Sequence, residues 1–129
     1  MNFNNFTIKS QQAVQKAVEI AKGNGNQAIE AAHLLKGMIE EGESVIKFIF
    51  QKLGINDTII LQSLDREIAK YPRVSGGQDP YLSKSANDAL TAAFDYSKKK
   101  GDEYVTIETM LMGILSTSSP TASILKDAG

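Results

Sequence analysis

His33 is the chain's only histidine and cysteine is absent, so imidazole, carboxylate and hydroxyl groups are the side chains left for proton transfer or nucleophilic attack. A catalytic imidazole needs an oriented partner, and a metal site needs three or four ligands of matching type. The residues around His33 are Glu30-Ala31-Ala32 and Leu34-Leu35-Lys36, a poor supply of either. Two glycine-spaced stretches approach phosphate-binding loops. Gly37-Met38-Ile39-Glu40-Glu41-Gly42-Glu43-Ser44 has the spacing of a Walker A loop, but Glu43 occupies the lysine position, where a carboxylate repels phosphate. Gly23-Asn24-Gly25-Asn26-Gln27-Ala28 resembles a dinucleotide loop, yet it follows a helical pattern where that motif needs a strand. Lys98-Lys99-Lys100 closes a helical pattern, where cations complement the helix dipole and stay hydrated. No catalytic residue, metal or cofactor is expected within this stretch of protein. Asp102, Glu103 and Glu108 gather around one loop. Their plain reading is capping and hydration; the sharper one is a polar rim, completed by Thr7, around a groove.

His33 also sits in a stretch that occurs twice. Ile29-Glu30-Ala31-Ala32-His33-Leu34-Leu35-Lys36-Gly37-Met38-Ile39 returns as Val105-Thr106-Ile107-Glu108-Thr109-Met110-Leu111-Met112-Gly113-Ile114-Leu115, a shift of 105 − 29 = 76. The same shift carries Phe6-Thr7 onto Leu82-Ser83, Ala13 onto Ala89, Ala17 onto Ala93, Lys22 onto Lys98 and Gly25 onto Gly101. A duplicated unit predicts two similar half-domains about a pseudo-twofold axis. It also demotes His33, because its twin is Thr109, and a role that threonine fills equally well is neither ligation nor proton transfer. His33 is read as a structural residue beside a helix N-terminus. Gly37 and Gly113 fall inside predicted helices, where glycine costs about 1 kcal/mol relative to alanine. Bearing that cost twice at equivalent positions points to a neighbouring helix too close for a Cβ.

The elements that carry these residues are helices. Thr7 is a suitable N-cap for a helix from about Ile8 to Lys22, whose Ala13, Val14, Ala17, Val18 and Ala21 recur at spacings of three and four. Gly23-Asn24-Gly25-Asn26 ends it. The repeated stretch supplies a second helix, from about Ala31 to Glu41, stopped by Gly42. Ser44 can cap a third, short one ending at Leu53 before Gly54. Asn56 can cap a fourth, with Ile60, Leu61, Leu64 and Ile68 as its buried stripe and Pro72 as its stop. The plan restarts after the breakers between Tyr71 and Pro80: Ser83 caps a helix that runs to the lysine triplet, Thr106 caps the second copy of the repeat, and a short helix carries Ile124 and Leu125. These boundaries predict a first repeat over residues 1–71, a connector over 72–80 and a second repeat over 81–129. The second repeat stops before any counterpart of the fourth helix, so the chain is expected to be a piece of a longer protein. Strand patterning is lacking, and the fold class is all-α.

Bulk properties exclude several function classes. The chain has 129 residues, enough for one compact core, and its net charge of −1 (14 − 15) lacks the electrostatic footprint of a nucleic-acid binder. No apolar run approaches the roughly 18 residues of a membrane span, and the N-terminus has no signal-peptide pattern. A soluble, cytoplasmic protein is expected, with no partner in nucleic acid or membrane. Asn5-Phe6-Thr7 and Asn56-Asp57-Thr58 match the glycosylation pattern but read as helix caps. Phe6, Leu90, Phe94 and Met110 are candidates to line the seam between the halves. Either they form an apolar groove suited to extended, unfolded segments, or all four are core.

The order Phe6-Thr7-x-Lys9-Ser10-Gln11-x-Ala13-Val14, Ala17, Gly25, Ile29-Glu30-x-x-His33-Leu34-Leu35-x-Gly37, doubled in the second half, resembles the Clp N-terminal repeat domain that heads the Clp AAA+ chaperones. Tyr71-Pro72-Arg73-Val74-Ser75-Gly76-Gly77 and Ile124-Leu125-Lys126-Asp127-Ala128-Gly129 resemble the disaggregase branch more than the protease-linked branches. The resemblance implies a double four-helix repeat, monomeric as a fragment. A mobile linker would join it to hexameric ATPase modules that hold ATP and magnesium, and it would recognise unfolded or aggregated polypeptide. It also implies substrate handling by Thr7, Asp102 and Glu108. Ala32 departs from the family, where many members carry a glutamate before the histidine, so an acidic role in the motif rests on Glu108 alone. Two other classes are an adaptor-docking module, as in protease-linked Clp ATPases, and a hydrolase; the single histidine, absent cysteine and broken phosphate loops speak against the second.

Overall fold

The computed structural model describes residues 3–41, 43–74 and 79–128. The expected stop at Gly42, the side chain of Ser44 and the end at Gly129 lie outside the described residues. Helix α1 spans Ile8–Gly23, α2 Ala31–Glu41, α3 Glu43–Leu53, α4 Asp57–Ala69, α5 Lys84–Lys99, α6 Ile107–Leu115 and α7 Pro120–Ala128. The fold is all-α, as the patterning requires. Two strands of two residues each, β1 (Ala28–Ile29) and β2 (Tyr81–Leu82), run parallel, and a single bridge joins Phe6 to Val105. Segments this short cannot show a two-residue alternation, which is why the sequence carried no strand signal.

Local chemistry sets the boundaries. Thr7, Asn56, Ser83 and Thr106 cap α1, α4, α5 and α6, each side-chain oxygen accepting an N–H of the first turn. Such a cap contributes about 1 kcal/mol. Helix α3 begins at Glu43, one residue before the expected cap at Ser44. At the end of α1 the left-handed residue is Gly25 rather than Gly23, which stays helical.

The two halves repeat their internal packing. A Cβ on Gly37 would stand 2.5 Å from Ala13 O and 3.0 Å from Ala17 N; on Gly113 it would meet the equivalent Ala89 O and Ala93 N at 2.1 and 2.9 Å. Helices α1 and α2, and likewise α5 and α6, therefore approach backbone to backbone. The pairings between halves exchange under the same shift: Phe6↔Val105 becomes Leu82↔Ile29, since 6 + 76 = 82 and 105 − 76 = 29. Likewise Thr7 N–H donates to Val105 O at 3.0 Å and Ser83 N–H to Ile29 O at 2.9 Å. Helix α4 crosses over to lie on α7, and one continuous core containing Leu34, Leu35, Met38, Ile46, Leu64 and Ile114 runs through both halves.

Candidate functional site

The Phe6–Val105 bridge sets the start of α1 beside the segment that leads into α6. Thr7 thus lies next to a stretch carrying Asp102 three residues before Val105 and Glu108 three residues after it. Thr7 is half-buried and committed to capping: Oγ1 accepts from Ser10 N–H at 3.1 Å and donates to Ser10 Oγ at 2.8 Å. Asp102 is exposed, held by its N–H donating to Ser97 O at 2.9 Å. Glu108 is exposed in the first turn of α6, where its charge complements the helix dipole.

The four candidate groove residues separate. Phe6, Leu90 and Met110 are 3%, 1% and 1% exposed and belong to the core, so they line no open seam. Phe6 is paired with Val105 and covered by Phe3, which packs edge-to-face on it at 5.0 Å, while Leu90 and Met110 are enclosed in the core cluster. Burying such side chains stabilises the fold by about 1.5–3 kcal/mol each, which works against an open groove there. Phe94 is different. It is half-buried, with Lys98 Nζ 4.7 Å from its ring centre, in a cation–π arrangement. It lines a cleft of about 370 Å³ with Asn5, Lys98, Asp102, Glu103 and Tyr104.

Tyr104, half exposed, escaped the sequence reading. The signal was present as a difference between the copies. Phe94 and Tyr104 stand where the first half has Val18 and Ala28 (94 − 76 = 18; 104 − 76 = 28), so an aromatic pair exists in one half only. Lys98, read as a solvated helix end, does end α5, and it also covers this aromatic wall.

His33 is fully buried. Glu30 N–H donates to its Nδ1 at 2.9 Å, which places the proton of the neutral ring on Nε2, where it donates to Asn26 Oδ1 at 2.9 Å. Burial, the largest influence, pushes its pKa from 6.5 down to about 4, with Glu30 opposing and Lys36 assisting. The twin explains the exchange for threonine: Thr106 N–H donates to Thr109 Oγ1 at 2.9 Å, as Glu30 N–H does to His33. Both residues reach back to satisfy the backbone ahead of their helix. The Tyr71 ring packs 5.4 Å from the imidazole, and burial beside Glu67 raises the phenol's pKa. Among the described residues no group of three or more His, Cys, Asp or Glu could hold a metal ion, and no helix is long and apolar enough to cross a membrane.

A duplicated α-helical domain with glycine-packed helix pairs and interlocked halves is the class these features define, and residues 5–128 match the Clp repeat (R) N-terminal domain family. The chain belongs to that family. Over all 129 residues it is 52% identical to the chaperone protein ClpB of Bacteroides thetaiotaomicron and 47% identical to that of Porphyromonas gingivalis, spanning 15% of the length of each. Among solved structures, the Hsp104 N-terminal domain from Candida albicans superposes with a TM-score of 0.86 at 24% identity, covering 98% of this chain and 83% of that one. A ClpV N-domain in complex with a VipB peptide superposes at 0.76 with 14% identity, covering 98% and 81%.

Proposed function

We propose that this domain is the substrate-recognition module of an ATP-dependent protein disaggregase, binding exposed apolar segments of unfolded or aggregated polypeptides. The observation that carries the reading is the cleft of Phe94 and Tyr104 beside Asp102, open in one half and replaced by smaller residues in the other, in a chain whose relatives are ClpB chaperones. Thr7 and Glu108 stand close in the chain to Asn5 and Val105, which line the cleft, and in this proposal they complete its polar rim, with the two aromatics as its apolar floor in place of the core residues. The domain acts by binding alone. ATP and magnesium serve hexameric AAA+ modules elsewhere in the full-length cytoplasmic protein, to which captured segments are passed.

Weak binding suits this task, because a surface that meets many sequences cannot optimise contacts to one, and release must be fast. A Kd of roughly micromolar to millimolar corresponds to about 4 to 8 kcal/mol. Titrating α-casein, an unfolded chain, into the isotopically labelled domain is expected to move the amides of Asn5, Thr7, Phe94, Asp102 to Thr106 and Glu108. No response, or a response confined to α3 and α4, would contradict the reading. The second reading, docking of an adaptor, draws on the ClpV N-domain solved with a VipB peptide. A folded partner that binds while casein does not would favour it.

A further inference from the structure

The loop that carries Asp102 has a twin, and the twin is covered. The shift of 76 relates Lys22–Ala28 to Lys98–Tyr104. On the first of these loops lie residues 72–74, the start of the chain's own connector. Val74 N–H donates to Gly25 O at 2.8 Å, and Asn26 Nδ2 donates to Pro72 O at 3.1 Å. The Arg73 guanidinium donates to Asn24 Oδ1, and Lys22 meets Asp79 at 3.2 Å. A Cβ on Gly25 would touch Val74 O at 3.5 Å and the Arg73 side chain at 3.6 Å.

Gly101 has the backbone of Gly25, with φ of +78° against +72°, yet nothing lies within 4 Å of a Cβ placed on it. Among the described residues no loop or turn backbone N–H donates to Gly101 O. The positions beside it have also changed character: Val18 and Ala28 give way to Phe94 and Tyr104, which line the open cleft.

We propose that the Lys98–Tyr104 loop docks an extended polypeptide segment in the way the Lys22–Ala28 loop holds residues 72–74, a backbone N–H of the segment donating to Gly101 O. The inference rests on the substrate-recognition reading and supplies its binding mode, a short main-chain-directed contact in which the aromatic pair takes neighbouring apolar side chains. Main-chain recognition suits a module that must accept many sequences. The differences between the loops define the occupant. Asn26 donates to the main-chain carbonyl of Pro72, whereas Asp102 only accepts, so only the Gly101 contact carries over from the twin and the segment turns that carbonyl away, offering Asp102 a hydroxyl, amide or basic side chain instead. Lys100 replaces the Asn24 that receives Arg73, so an arginine is not favoured at that second position. An acidic segment fits neither the carboxylate of Asp102 nor that of Glu103.

Two measurements test this. In the first, α-casein is added to the ¹³C,¹⁵N-labelled domain and carbonyl shifts are followed. The expected result is a shift of Gly101 C=O together with the amides around Phe94 and Tyr104. Casein shifts at Phe94 and Tyr104 with Gly101 C=O silent would overturn the docking mode and leave the substrate reading intact; no casein response, or one away from this cleft, would remove both. In the second, a peptide with the sequence of residues 69–74, whose proline carbonyl should be repelled by Asp102, is titrated into the wild type and Asp102→Asn. Asp102→Asn restores the donor of the twin loop and is expected to bind the peptide several-fold more tightly, at the same loop. Equal affinity would overturn the proposal. So would shifts of these residues with the domain's own concentration before any probe is added, since a second copy would then hold the loop.

Discussion

His33 shows how a residue suited to catalysis is used for structure. Its two nitrogens are both spent, one accepting the Glu30 N–H and the other donating to Asn26, and its burial keeps the ring neutral. The consequence is a stability that depends on pH. The unfolded chain takes up a proton near 6.5 and the folded chain only near 4. Between those values the unfolded state binds more protons, so stability is full above 6.5 and is lost as pH falls towards 4. The loss is about 1.4 kcal/mol per pH unit. His33→Thr, which installs the twin residue, is expected to cost about 2–4 kcal/mol at pH 7 through the cavity it leaves. That gap should close as the pH approaches 4, measured by urea unfolding across the range. A gap independent of pH would contradict the account. The reading of His33 as structural rests most strongly on Thr109, because the two copies can be compared residue against residue. Tyr104 was legible by the same comparison, as an aromatic facing an alanine. It was passed over because a lone exposed tyrosine resembles any other until the fold places Phe94 and Asp102 around it.

At the scale of the elements, the caps and the helix-interior glycines were readable because each has a local cause. Thr7, Asn56, Ser83 and Thr106 cap as their types require, and Gly37 and Gly113 each mark a place where two helices touch through their backbones. Gly37→Ala and Gly113→Ala are each expected to destabilise by about 2–4 kcal/mol, because a backbone carbonyl rather than a flexible side chain blocks the new methyl. Gly113→Ala, with the shorter approach, should cost more. Gly23→Ala is the contrast: nothing lies within 4 Å of its Cβ position and its backbone is helical, so a gain of about 0.4–1 kcal/mol is expected. Equilibrium denaturation of the three variants checks the order. The short parallel pairings could not be read in advance, since two residues carry no periodicity and their partners lie in the other half. They are also what overrode the expected groove, because Phe6 is drawn into the core by its bridge to Val105.

The two halves share one plan, apart from helix α4, which has no counterpart among the described residues of the second half, and they diverge in surface at one pair of loops. Exchange of the halves maps the Phe6–Val105 bridge onto Leu82–Ile29 and one glycine contact onto the other, so the duplication seen in the sequence is carried through to the packing. The exchange does not preserve the surface near Gly25 and Gly101: Arg73 and Val74 cover the first, and an aromatic cleft lies open at the second. The sequence could locate this divergence but not its meaning, since which loop the connector covers depends on a contact between residues 25 and 74, far apart in the chain. The function proposed here puts recognition of unfolded chains at this cleft. The most direct test is fluorescence anisotropy of dye-labelled α-casein titrated with the wild-type domain and with Tyr104→Ala, whose half-exposed side chain leaves the core intact. A several-fold weaker Kd for Tyr104→Ala with an unchanged unfolding midpoint is the predicted result, and equal Kd values for the two proteins would contradict it.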